Sequence, residues 1–205
     1  MTPASTHPTR RRQPQQRRAE QTVEAVLDAV VRILRRGNAR AITTNHIAAT
    51  AGVSIGSLYQ YFPDKGAIFI ALHERHLQQI DQLIHSTLVE HASAPLDELI
   101  RALVDTMVEA HATDPEFFKR LQMEVPHRAG ATRDFAVRLH GVFRLAIAAR
   151  AHELKRGRDL DTTVFVVTHM VESLCHGAVL RRPAGLSLAS AKKEITKAVL
   201  AYLRA

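Results

Sequence analysis

The chain has 205 residues, 46% of them hydrophobic, enough for one large domain or two small ones with buried cores. A single cysteine, Cys175, excludes an internal disulfide, and no apolar run approaches the roughly 20 residues that cross a bilayer. The formal charge of +8 is uneven: ten Lys and Arg face four Asp and Glu up to Gly66, but eighteen face sixteen from Ala67 onward. A basic N-terminal third on a nearly neutral body suits a polyanionic partner and gives no amphipathic membrane face. The opening MTPASTHPTRRRQPQQRR lacks the apolar stretch of a secretory signal, so the cytoplasm is the expected compartment.

In chain order, residues 1–18 carry Pro3, Pro8 and Pro14 among five arginines and read as a disordered basic arm. From Ala19 a helical period begins, with Val23, Val26, Leu27, Val30, Ile33 and Leu34 at three- and four-residue steps and Gly37 as its stop. A short helix capped by Thr43 or Thr44 follows, with Ile47, Ala48 and Ala51 facing inward. Gly52 ends it, Val53 plugs the turn, and Ser54 caps a second short helix running to about Tyr61. Pro63 suits the first turn of a long helix that reaches about Glu90. Further amphipathic runs cover 96–112, 115–124, 132–156, 162–182 and 188–203. No segment alternates with a period of two, so the expectation is all-α, with about nine helices and no strands.

Two short helices joined by a glycine turn and packed on a third make a helix-turn-helix, whose second helix enters the DNA major groove. The small Ala48 and Ala49 let the helices approach, and Val53 and Leu58 hold their crossing. The outer face, Ile55 to Ser57 and Tyr59 to Tyr61, has no carboxylate to repel phosphates.

The stretch TTNHIAATAGVSIGSLYQYFPDK resembles the DNA-binding signature of TetR-type bacterial regulators, and the match covers about residues 19–72. The resemblance implies a reader at 19–66 and an effector-binding and dimerisation domain at 67–205. It implies DNA contacts from Thr44 and Asn45, from Ser54, Ile55, Gly56 and Ser57 at the start of the recognition helix, and from Tyr59, Gln60, Tyr61 and Lys65. Gln60 is the candidate for a bidentate adenine contact and Ile55 for a thymine methyl. Thr44, Tyr59, Tyr61 and Lys65 are expected on phosphates, with Leu58 and Phe62 in the core. Ile55 and Gly66 depart from the polar and acidic residues common there in the family.

The resemblance further implies an effector cavity, with Phe118, Met123, His140, Phe143, Phe165 and His169 as wall candidates and an apolar or aromatic small molecule as effector. The last two helices would meet their copy in a homodimer through Val164, Val167, Val171, Leu174, Ala178, Ile195, Val199 and Tyr202. A two-fold dimer also doubles the contacts on a palindromic operator in double-stranded DNA. The expected function is a ligand-responsive repressor in which effector binding shifts the long helix and swings the reader; an activator of the same family is the alternative. No cofactor is expected. His169, Glu172 and His176 share a helical face, which keeps a metal-dependent helical enzyme as a distant reading; with no nucleophile–base pair or cofactor fingerprint beside them, neither an enzyme nor a metal site is expected.

Overall fold

The computed structural model describes residues 12–36, 42–125 and 130–205. Among these the chain forms nine α-helices and no strand: α1 Arg12–Arg35, α2 Thr44–Ala51, α3 Ile55–Tyr61, α4 Lys65–Glu90, α5 Leu96–Ala112, α6 Pro115–Glu124, α7 Gly130–Ala148, α8 Leu160–Leu180 and α9 Leu188–Arg204. Two compact units divide within α4, after Leu72, six residues beyond the expected boundary.

In the first unit, α1 starts at Arg12, not Ala19, so residues 12–18 of the expected arm are helical. Pro14 falls in the first turn, where its missing N–H has no partner to lose, and Gln15 to Ala19 are good helix formers. The rest of the arm and the Gly37 stop lie outside the described residues. Val26, Val30, Leu34, Ile47, Leu58, Ile68 and Phe69 are buried and form the core that fixes α2 and α3 on α1. Arg32 on α1 adds a 3.0 Å hydrogen bond to the Thr50 carbonyl. Pro63 stays outside α4: Asp64 takes the cap position, its carboxylate accepting from the Ala67 N–H at 2.8 Å.

The second unit is built around α8, which packs on α5, α7 and α9. By length and a mean hydropathy of 1.4, α8 is apolar enough to cross a membrane, contrary to the sequence expectation. Its Val164, Val167, Val171, Cys175 and Ala178 are instead buried in this unit's core. Burial, and then Asp105 nearby, push the Cys175 thiol up to about 12.

The expected helix 132–156 ends at Ala148 and gives way to a single 3-10 turn, Ala151–Glu153. Arg150 lies at the break and is buried. Its guanidinium donates to the carbonyls of His91 (2.6 Å), Ala92 (2.9 Å), Ala94 (2.8 Å) and Ala146 (2.9 Å). One planar fork thus satisfies the loop after α4 and the last turn of α7. Next to it, the Glu153 carboxylate accepts from the Leu96 N–H at 3.0 and 3.1 Å. That contact caps α5, whose own N-cap residue, Pro95, has no side-chain acceptor.

Candidate nucleic-acid interface and ligand cavity

The reader is set by local devices. Thr43, not Thr44, caps α2, its hydroxyl accepting from the His46 N–H at 3.2 Å. At the other end Gly52 has φ +71°, a left-handed conformation that costs a side chain energy but suits glycine. The Val53 N–H then reaches the Ala48 carbonyl at 3.0 Å and closes the turn. Ser54 caps α3 by accepting from the Ser57 N–H at 3.0 Å, and its hydroxyl shares a 2.8 Å hydrogen bond with that of Ser57.

Leu58 and Phe62 are buried, which turns the rest of α3 outward. Ile55, Gly56, Tyr59, Gln60 and Tyr61 are exposed, as is Asn45 on α2. Tyr59 is half exposed, and its hydroxyl lies 3.1 Å from that of Thr44, joining α3 to the first turn of α2. Thr44 and Tyr59 therefore form one polar pair at the surface. A methyl group built at Gly56 would meet only the Ser54 hydroxyl, at 3.8 Å, so the fold does not demand glycine there. The Lys65 ammonium lies 5.5 Å from the centre of the Phe69 ring, at the start of α4.

The second unit holds a cavity of about 380 Å³. Phe118, His140, Phe165 and His169 are in its wall. Met123 is not: it is 79% exposed, because Phe118 and Leu121 take the inward phase of the short α6. Phe143 is buried in the core and is not in the wall. Sequence reading missed His76, His111 and Thr168, and it placed Glu172 and His176 on one helical face without their cavity.

Three of the wall histidines cluster around one ring. Phe118 has the imidazoles of His111, His176 and His76 at centroid distances of 4.1, 5.0 and 5.6 Å. These side chains come from α4, α5, α6 and α8, so no local spacing announces them. Burial pushes His76 and His176 down to about 4, and the neighbouring His111 adds to it. Burial also lowers His111, opposed by its hydrogen bond to the Met107 carbonyl. His169, Glu172 and His176 share the cavity wall, but among the described residues no three such groups gather closely enough to hold a metal ion.

Six of the eight expected interface residues are occupied within their own chain. Val164, Val167, Val171, Ala178, Ile195 and Val199 are buried in the second unit's core. Tyr202 packs partly against that core, with the Arg158 guanidinium 4.4 Å from its ring centre. Leu174 alone of the eight is exposed, at 40%. Apolar periodicity located the helices' buried stripe, which faces this chain rather than a copy.

A capped helix-turn-helix in one unit and a cavity in an all-helical second unit are the parts of a DNA-binding transcriptional regulator. Residues 26–72 match the family model of bacterial regulatory proteins of the tetR family. Residues 95–203 match that of the tetracyclin repressor-like C-terminal domain. The chain belongs to the TetR family. It is 35% identical to the nucleoid occlusion factor SlmA of Haemophilus ducreyi over 74 residues, 36% of each chain. It is 26% identical to SlmA of Actinobacillus pleuropneumoniae over 165 residues, 77% of this chain and 79% of that one. Among solved structures, SmeT, the repressor of a multidrug efflux pump of Stenotrophomonas maltophilia, superposes with a TM-score of 0.67 at 19% identity. That superposition covers 88% of this chain and 91% of SmeT, and shows the shared fold.

Proposed function

We propose that the protein is a cytoplasmic repressor that binds a palindromic operator as a homodimer and leaves it when a small apolar or aromatic molecule fills the cavity of the second unit. The observation that carries this reading is the pairing, in one TetR-family chain, of an outward recognition helix with a cavity of about 380 Å³, within the roughly 300–1,000 Å³ of small-molecule sites. SmeT, of similar fold, is a repressor.

In this reading Ser54 positions the helix start, and Ile55, Gly56 and Ser57 lie against the bases. Gln60 and Asn45 read base edges. Thr44, Tyr59, Tyr61 and Lys65 hold phosphates and fix the register without reading sequence. The dimer forms through the outward faces of α8 and α9, where Leu174, Ala198 and Ala201 are exposed and small side chains allow close approach. DNA and effector oppose one another through a coupling of about 1–3 kcal/mol.

The test starts with an operator isolated by in vitro selection on random duplexes. Two chains per bound duplex and a palindromic consensus are expected. A stable monomer at micromolar concentration, or a consensus without two-fold symmetry, would remove the dimeric mechanism.

A further inference from the structure

We propose that the cavity of the second unit takes an aromatic molecule that donates hydrogen bonds and carries no negative charge, a neutral phenol being its simplest form. This rests on reading the cavity as the effector site and names the chemistry of the effector.

The first observation is charge. Among the described residues of the wall none is Lys or Arg, and Glu172 is the one carboxylate. An anionic ligand would shed its water with no counter-cation to receive it, and beside a like charge. Burial holds His76 and His176 down to about 4 and lowers His73 and His111 as well, so these four rings do not fill that role at neutral pH.

The second observation is the direction of the hydrogen bonds. His111 Nδ1 lies 2.7 Å from the Met107 carbonyl, an atom that only accepts. The ring hydrogen is therefore on Nδ1, and in the neutral imidazole Nε2 is left as an acceptor. His169 repeats the arrangement, with Nδ1 2.8 Å from the Phe165 carbonyl. The Glu172 carboxylate also only accepts. These polar positions call for a donor. Thr168, buried at 6% exposure, has a hydroxyl oxygen with no protein partner and serves either role.

The third observation is shape. Phe118 and the imidazoles around it offer ring faces and edges to a flat guest, and aromatic pairs favour such offset and edge contacts. An aliphatic donor of the same size would lose these contacts.

The test compares naphthalene, 2-naphthol and 2-naphthoate by calorimetry on the full chain at pH 7.5, where 2-naphthol is neutral. One added hydrogen bond predicts that 2-naphthol binds about tenfold tighter than naphthalene. The naphthoate should bind at least about tenfold more weakly than 2-naphthol. His111→Asn keeps a donor for Met107 but removes the Nε2 acceptor. It should narrow the gap between naphthol and naphthalene, with naphthalene binding weakened by the lost ring contact but still measurable as proof of an intact cavity. Glu172→Gln should raise naphthoate binding and leave naphthalene unchanged. Naphthoate binding as tightly as naphthol, naphthol no tighter than naphthalene, or no binding of any of the three overturns the proposal. Naphthol that binds in the expected order but leaves the operator complex intact supports the ligand class and refutes the effector role.

Discussion

Gly56 separates what the fold needs from what DNA needs. It is the second residue of α3, its φ is not in the left-handed range, and an added methyl meets nothing closer than the Ser54 hydroxyl at 3.8 Å. Gly56→Ala should therefore stabilise the protein, by up to about 1 kcal/mol from helix propensity, less any reduction from its place near the helix end. For a unit of this size each kcal/mol moves the midpoint by about 4–8 °C, which thermal unfolding by circular dichroism resolves. On DNA the same methyl points outward from the first turn of the recognition helix. If the backbone there approaches the groove closely, affinity for the selected operator should fall by about 1–3 kcal/mol, read by anisotropy of a labelled duplex at fixed salt. Opposite signs in the two assays are the expected outcome. An unchanged affinity would refute the close approach, and a lowered stability would refute the account of free space around Gly56.

The remaining perturbations probe single contacts. Gln60→Ala should relax base preference at one position per half-site at a cost of about 1–3 kcal/mol, seen by repeating the selection; equal loss on every sequence would contradict a reading role. Tyr59→Phe breaks the 3.1 Å contact with Thr44, and it should weaken binding to all duplexes about equally while changing stability by only about 0.5–1 kcal/mol. Arg150→Met leaves four carbonyls without their shared donor and should lower unfolding stability by about 3–5 kcal/mol in urea, with Arg150→Lys recovering only part of it. His76 and His176 have folded pKa values of about 4 against an ordinary 6.5. Because these values are lowered, the neutral rings' contribution is complete above pH 6.5. It is lost as pH falls toward 4, since the unfolded chain takes up protons the folded one refuses. His73, His111 and Arg181 disfavour those protons and Glu172 lines the same cavity. A loss of about 2–4 kcal/mol across that window should appear in urea midpoints, and replacing both rings with Gln should flatten the slope.

The reader was legible because its devices are local. The Thr43–His46 and Ser54–Ser57 caps and the left-handed Gly52 each act within a few residues, so spacing and residue type reveal them. Asp64 shows the limit of such reading: Pro63 signalled a helix start, but the carboxylate one position later holds the cap. In the second unit, local pattern found the helices and not what joins them. Arg150 reaches back to His91 and Glu153 to Leu96, so neither could be assigned from neighbours in sequence. The dimer candidates show a different limit. Val164, Val167 and Val171 repeat as a buried stripe should, but periodicity does not say whether the stripe is covered by this chain or by a copy.

Cys175 has a consequence for the kinds of signal this protein can receive. Its sulfur is fully buried in α8, and its thiol is pushed up to about 12, so at neutral pH almost none of it is the reactive thiolate. It is also the chain's single cysteine. Peroxide and electrophiles that act by modifying a thiolate have no purchase on the folded molecule. Under the proposed function, a regulator of this build would register a small molecule by the room and polarity of its cavity, not by oxidation of its cysteine.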